Sequence, residues 1–229
     1  MSDISNANAK NLFNQKEEHI SQIKSDISIA NAKVSLATAN PSAIGLFGLA
    51  MVTLVASSQK LGWTEGTALI IPWAIFLGAA AQLYACFNDA KLNNVFGATA
   101  FGGYAFFWFG IAATWLIQNG VFGETMMQTA DVGQLGFAFV GYLIFSIFMT
   151  IGAMETNKVL LIIFVLIDFL FIGLSFSTFG ILKEFFHGFA AYSELLIALV
   201  SFYGSGAAVL NGHFGKEFLP VGKPFGVFK

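Results

Sequence analysis

Six stretches of the sequence, each close to 20 residues long, carry almost no charge. They cover approximately residues 42–59, 67–87, 98–118, 135–154, 159–181 and 190–210. About 20 consecutive apolar residues are what a helix needs to cross roughly 30 Å of hydrocarbon. In a bilayer each backbone amide and carbonyl must find its partner within the protein, and segments of this length do so as helices. The sequence therefore predicts an all-α integral membrane protein with six transmembrane helices.

Composition limits the classes of function. The 229 residues are 56% hydrophobic and 10% charged, which does not suit a water-soluble domain with a polar surface. The net charge of −2, with lysine as every positive side chain, indicates no nucleic-acid partner. The three histidines are dispersed, and no nucleophile elbow, phosphate loop or zinc-protease pattern occurs. We therefore predict no catalytic residue, no metal and no cofactor, and hence no enzyme.

The distribution of lysine predicts the orientation of the chain in the membrane. Six spans place both termini on one side, and cytoplasmic segments are enriched in positive charge. If that side is cytoplasmic, it carries nine lysines and the other side only Lys60 and Lys183. The sequence therefore predicts a multi-pass protein of the cytoplasmic membrane with both termini in the cytoplasm.

The chain divides into three regions by composition. Residues 1–38 form a polar cytoplasmic extension, 39–212 a six-helix transmembrane domain and 213–229 a cytoplasmic tail. The extension has one apolar stripe at helical spacing, formed by Ile20, Ile23, Ile27, Ala30 and Val34. We expect an amphipathic helix that lies on the membrane or against a neighbouring subunit, because two heptads are a weak case for a coiled coil.

Uncharged polar residues near or within the spans suggest a narrow, hydrogen-bonding passage. They are Asn40, Gln82, Asn94, Thr99, Tyr104 and Asn211. Asn40 is suited to cap the first transmembrane helix, with Pro41 at its first position, and the partial positive charge of a helix N-terminus favours a carboxylate. Plain helix capping and hydrogen bonds between helices are the alternative roles for these side chains.

Two acidic residues fall inside the predicted spans. Asp168 lies near the middle of the fifth span, where a carboxyl must be neutral, paired or wetted by a pore. A protonated Asp168 facing the pathway would serve as a proton relay, and the alternative is that it points elsewhere. Glu194 lies about one turn inside the last predicted span, and we expect it at the membrane interface with Lys183 or water nearby.

Three ordered motifs resemble those of the acetate uptake transporter family, also called the acetate/succinate permease or YaaH-like family. They are NPSAIGL at 40–46, NNVFGATAFGGYAFFW at 93–108 and VLNGHFGKEFLPVG at 209–222. The corresponding family patterns are NPAPLGL, N-T-F-G-x-T-A-F-x-x-Y-x-x-F-W and V-L-N-x-x-F-G-x-x-x-L-P-x-G. The resemblance covers about residues 38–225.

The resemblance implies a protomer with six helices around a narrow pore, assembled in membrane lipid as a homohexamer. It implies transport of acetate and related small monocarboxylates, in some members also succinate, by proton symport or as an anion channel. It places a hydrophobic constriction at Leu49, Tyr104 and Ile167. Relatives carry Phe and Leu at the first and third of these positions, and Ala208 stands where many bacterial relatives have Glu.

Three functions remain open from the sequence. The first is proton-linked uptake of acetate. The second is a passive hexameric channel for acetate, acetic acid or a small neutral solute, for which Asp168→Asn should change little. The third is a membrane sensor or scaffold that does not transport, in which the N-terminal extension is the working part.

Overall fold

The computed structural model describes residues 2–37 and 39–228, without the side chains of 2–11, 31 and 34–37. Residues 1–39 and 40–229 are two separate units. In the first unit, α1 runs from Ser2 to Ala37. The side chains of Ile20, Ile23 and Ile27 from the predicted stripe are exposed, and Val34 lies outside the described side chains.

The second unit contains the membrane-spanning helices. Its helices are α2 (Pro41–Lys60), α3 (Ile70–Lys91), α4 (Val95–Gln118), the short α5 (Glu124–Thr129), α6 (Val132–Ala153), α7 (Lys158–Thr178) and α8 (Lys183–Phe214). Within the described residues, all of these except α5 are long and apolar enough to cross a membrane, and no strand is present. The prediction of six spanning helices is confirmed.

The last spanning helix is much longer than the sequence predicts. It has 32 residues and begins at Lys183, whereas the uncharged stretch begins near residue 190. The charged and polar residues of its first two turns end a hydropathy window, but they are compatible with helical backbone. Glu194 therefore lies about 16 Å along the helix from its start, at roughly 1.5 Å per residue.

Side-chain caps fix where several of these helices begin. The Asn40 side chain accepts a hydrogen bond from the Ser42 amide at 3.0 Å, and Pro41 is the first residue of α2, as the sequence predicts. Asn94 caps α4 by accepting from the Gly97 amide at 3.1 Å. Asp131 and Asn157 cap α6 and α7 in the same way. Each cap satisfies a backbone donor that the helix itself leaves unpaired.

The spanning helices follow one another around a common axis. The main pairs are α4 with α3, α3 with α2, α2 with α8, α8 with α7 and α7 with α6, and α6 touches α4 again. Gly173 of α7 lies against the backbone of α8, where an added Cβ would come within 2.9 Å of the Ala190 amide nitrogen and the Phe186 carbonyl oxygen. Gly48 of α2 similarly lies against the Leu77 carbonyl, in the π-helical segment Ala74–Ala81 of α3. Small residues at these contacts let the helix backbones approach closely.

Candidate permeation pathway

A large cavity of about 460 Å³ opens on the side where α2, α4 and α7 begin. Its wall comes from five spanning helices and from Phe228 near the end of the chain. The lining is mostly apolar, and its polar members are Ser42, Gln82, Asp89, Asn94, Tyr104, Glu155 and Thr156. At its deep end the cavity reaches Leu49, Tyr104 and Ile167.

These three residues also line a central cavity of only about 10 Å³. Leu49 is 6% exposed, Tyr104 5% and Ile167 3%, so all three side chains are buried with little free space around them. A cavity must offer about 10–15 Å³ to hold one water molecule. The structure thus brings together the three residues that the resemblance names as a constriction, between a roomy cavity and a nearly closed one.

A far cavity of about 220 Å³ continues the series on the opposite side. It shares Phe107 and Trp108 with the central cavity, and the two rings contact each other edge to face at 5.3 Å between centroids. The three cavities therefore meet in sequence through the ring of helices. This arrangement is a candidate path across the helix bundle, with a wide cavity at each end and side chains that close it in the middle.

A broken chain of hydroxyl groups lies between the constriction and Asp168. The hydroxyls of Tyr104 and Ser146 are 2.9 Å apart, and the Thr150 hydroxyl donates to Asp168 Oδ2 at 2.7 Å. Ser146 lies near the Asp168 carboxyl, but no hydrogen bond joins the two, and Asp168 Oδ1 has no partner in the described part of the chain. The hydroxyl chain is therefore not continuous. Asp168 is half-buried and does not line the three cavities of the path. It lies behind Tyr104, at the end of this chain, and its role as a proton relay stays a prediction.

Two of the predicted pathway amides line the large cavity. Gln82 is fully buried, and its Nε2 donates to the Gly78 carbonyl at 2.6 Å, while its Oε1 has no partner among the described residues. Asn94 uses its oxygen to cap α4 and one amide hydrogen to bind Asp89 Oδ1 at 2.8 Å. Gln82 Oε1 and the second Asn94 hydrogen therefore remain for a molecule in the cavity.

The other predicted polar residues lie elsewhere. Asn40 and Asn211 line a separate side cavity of about 220 Å³. The Asn211 amide is occupied by the chain that follows α8, because it accepts from the Phe218 and Leu219 amides and donates to the Leu219 carbonyl. Pro41 is buried at the start of α2. Thr99 is exposed on the outer face of α4 and lines none of the cavities described above, so the structure does not bring it to the path.

Sequence reasoning missed two carboxylates in the wall of the large cavity. Asp89 is 3% exposed, and its Oδ2 has no hydrogen-bond partner in the described part of the chain. Glu155 Oε1 accepts from the amides of Val227 and Phe228 at 2.7 and 3.0 Å, which holds the end of the chain beside the cavity. For Asp89, the available signal is its position five residues before the capping Asn94.

Glu194 has a different partner from the one that the sequence suggests. It is 2% exposed, and its Oε2 lies 2.9 Å from Nζ of Lys60, the last residue of α2, rather than near Lys183. His187 Nε2 donates to the Lys60 carbonyl at 3.1 Å. The early start of α8 explains the difference, because it places Glu194 three turns inside the helix. All three residues line the far cavity.

Known proteins match this chain over the region that holds the six spanning helices. The sequence profile of the GPR1/FUN34/yaaH family matches residues 26–218. The chain belongs to this family. It is 30% identical to the succinate-acetate/proton symporter SatP of Escherichia coli K12 over 185 residues, which is 81% of this chain and 96% of the relative. It is 29% identical to acetate permease A of Emericella nidulans over 60% of this chain and 49% of that protein.

A solved structure agrees with the fold. The bacterial acetate channel SatP superposes with a TM-score of 0.74 at 28% sequence identity, covering 80% of this chain and 99% of that one. Its match and the six apolar helices make this member of the GPR1/FUN34/yaaH family a multi-pass protein of the cell membrane. The relatives are transporters and channels, which is consistent with a protein that is not an enzyme. In the residues that the structure describes, no three His, Cys, Asp or Glu side chains form a candidate metal site.

Proposed function

We propose that this protein carries acetate and related small monocarboxylates, and also the dicarboxylate succinate, across the cell membrane through the three cavities of each protomer. The observation that carries the proposal is the meeting of the large and central cavities at Leu49, Tyr104 and Ile167. The names of the symporter, permease and channel relatives give the substrate class. The mainly apolar wall suits the methyl group of acetate, and the free amide hydrogen of Asn94 suits a carboxylate oxygen. Gln82 Oε1 is an acceptor and suits the hydroxyl group of the protonated acid.

We propose that a proton accompanies the substrate. Asp89 and Glu155 place two carboxylates beside the large cavity, and an acetate anion there is repelled while both stay ionised. Passage is favoured when a proton neutralises a carboxyl group or the substrate itself. Asp168 offers a second place for that proton, since it lies near Ser146, the hydroxyl partner of Tyr104. Passive conduction is the second candidate, supported by the description of the similar solved structure as an acetate channel.

The proposed assembly is a homohexamer in membrane lipid, with both termini in the cytoplasm. The resemblance of the three sequence motifs to the acetate uptake transporter family supports the assembly. The lysine distribution supports the orientation. In this arrangement the large cavity faces the cytoplasm, residues 39–212 form the transport domain, and 1–38 and 213–229 are cytoplasmic segments.

The proposal is tested by uptake of radiolabelled acetate into proteoliposomes, with and without an inward proton gradient. Diffusion of acetic acid into protein-free liposomes is subtracted. Tyr104→Ala should change the protein-dependent rate, because the side chain lies at the constriction. Tyr84→Ala is the matched control, since Tyr84 is 61% exposed and lines none of the cavities. Absence of any protein-dependent flux would overturn the proposal.

Accumulation separates the two candidates. Protein-dependent accumulation above the level set by acetic-acid partitioning supports proton-linked transport, and simple equilibration supports a channel. Asp168→Asn should weaken accumulation if Asp168 handles the proton, and it should leave passive flux nearly unchanged. Tyr104→Phe keeps the ring and removes the hydroxyl, so it tests the connection to Ser146 without opening the constriction.

A further inference from the structure

The far cavity contains a buried ion pair that the function proposed above does not use. Lys60 Nζ and Glu194 Oε2 are 2.9 Å apart, with the side chains 14% and 2% exposed. Both residues line the cavity. Among the described residues that line the three cavities of the path, Lys60 is the one lysine, whereas the large cavity has Asp89 and Glu155. The far cavity is therefore where an anion on the path meets a fixed positive charge.

The charges around Glu194 are few. Lys60 faces it from α2, and His187 faces it from its own helix while donating to the Lys60 carbonyl. The helices α4, α6 and α7 contribute only uncharged side chains to this cavity, namely Phe107, Trp108, Ile111, Thr114, Trp115, Gln118, Leu135, Phe139, Leu174, Ser177 and Thr178. The Lys60 ammonium is therefore paired mainly with the Glu194 carboxylate, which is part of the protein.

We propose that Lys60 binds the substrate carboxylate in the far cavity, and that Glu194 is an internal competitor which releases Lys60 by taking up a proton. This inference rests on the proposed function. A small carboxylate substrate has the same functional group as the Glu194 side chain, which is paired with Lys60 in the structure. Two ionised carboxylates at one ammonium leave a net negative charge in a site removed from water, which is strongly unfavourable. Protonation of Glu194 removes that charge.

The proton balance follows directly. One proton passes from the solution to the Glu194 carboxylate, which becomes a neutral acid, and one substrate anion pairs with the Lys60 ammonium. The site has the same total charge with and without substrate. When the substrate leaves, Glu194 loses its proton and pairs with Lys60 again. Binding of one monocarboxylate is thereby linked to binding of one proton.

The first test is the half-saturating acetate concentration for exchange in proteoliposomes across the neutral pH range. For the wild type we expect a rise of about tenfold for each pH unit, because each acetate requires one proton. Glu194→Gln should lower the half-saturating concentration about tenfold, a change of about 1.4 kcal/mol, and remove its pH dependence. Glu184→Gln is the control, since Glu184 is an exposed residue of the first turn of the same helix and should behave as the wild type.

The second test measures proton uptake directly. Wild-type protein in detergent receives pH-matched sodium acetate in weakly buffered solution, with sodium chloride as the control. About one proton should be taken up per acetate bound, and Glu194→Gln should bind acetate without proton uptake. Lys60→Met should raise the half-saturating concentration more than tenfold, whereas Lys91→Met, at the exposed end of α3, should not.

The outcomes separate this inference from the proposed function. Wild-type flux with a half-saturating concentration unchanged by both Lys60→Met and Glu194→Gln would leave transport standing and overturn the inference. A pH dependence that persists in Glu194→Gln would show that acetic acid is the permeant and would also overturn it. Absence of wild-type flux would refute both. Proton uptake by the wild type that is lost in Glu194→Gln supports the inference even if Lys60→Met does not fold.

Discussion

The Lys60–Glu194 pair predicts an asymmetric loss of stability when either partner is removed. Lys60→Met leaves a carboxylate that is 2% exposed without its counter-ion. Removing one partner of a buried pair typically costs about 3–5 kcal/mol. Glu194→Gln leaves an ammonium that is 14% exposed and lies on the far cavity, where water can solvate it, so we expect a loss of about 1–2 kcal/mol.

The double variant Lys60→Met/Glu194→Gln has no buried charge at this place. Its loss of stability should therefore be smaller than that of Lys60→Met alone, and the double-mutant cycle should be non-additive. The penalty of Lys60→Met should also shrink as the pH falls, because protonation neutralises the Glu194 carboxylate that has lost its partner. At higher pH the Glu194 carboxylate stays charged, and Lys60→Met then causes its full loss of stability.

The measurement is the midpoint of unfolding of the purified protein in detergent, followed for the wild type, the two single variants and the double variant at several pH values. Lys91→Met controls for the loss of one lysine from a helix end. Equal losses in the two single variants, or strictly additive losses in the double variant, would refute the argument from burial. A Lys60→Met penalty independent of pH would refute the assignment of the buried charge to Glu194.

Three further predictions concern the path and its packing. Leu49→Ala should enlarge the central cavity, speed acetate equilibration and cost about 2–5 kcal/mol of stability; an unchanged flux in proteoliposomes would contradict the constriction. Gly173→Val should lower the unfolding midpoint sharply, because the valine side chain would meet the α8 backbone. Gly141→Ala is the control and should change stability by less than about 1 kcal/mol, since nothing lies within 4 Å of the added Cβ. Truncation after Pro224 removes Phe228 from the wall of the large cavity and should raise the initial rate of acetate entry; an unaltered rate would show that the end of the chain does not obstruct it.

The number and approximate position of the spanning helices could be predicted from hydropathy alone, because each must cover the same thickness of hydrocarbon. The cap of α2 could be predicted as well, since Asn-Pro specifies a local backbone geometry. The true start of α8 could not, because Lys183, Glu184 and His187 end an apolar window without ending a helix. The early start adds two turns before Glu194, which is buried and paired with Lys60 instead of the expected Lys183.

The site was harder to predict, because it depends on helix rotation. Lys60 and Glu194 are 134 positions apart, and only the packing of α2 on α8 brings them together. Asn94 looked like an amide for the substrate, but half of its hydrogen bonding serves Asp89 and the α4 cap. Thr99 has the right residue type and faces outward. A polar residue in a span identifies an unusual position, and the neighbouring helices decide what it contacts.

The central cavity has an electrical consequence. Its free volume of about 10 Å³ is too small for a chain of water molecules, while the cavities on either side of it are wide enough to be wet. Conducting water on both sides concentrates the membrane potential across the short apolar layer around Leu49 and Ile167. Moving one charge through a potential of 100 mV corresponds to about 2.3 kcal/mol. We therefore expect this closed arrangement to oppose the movement of ions between the two wide cavities.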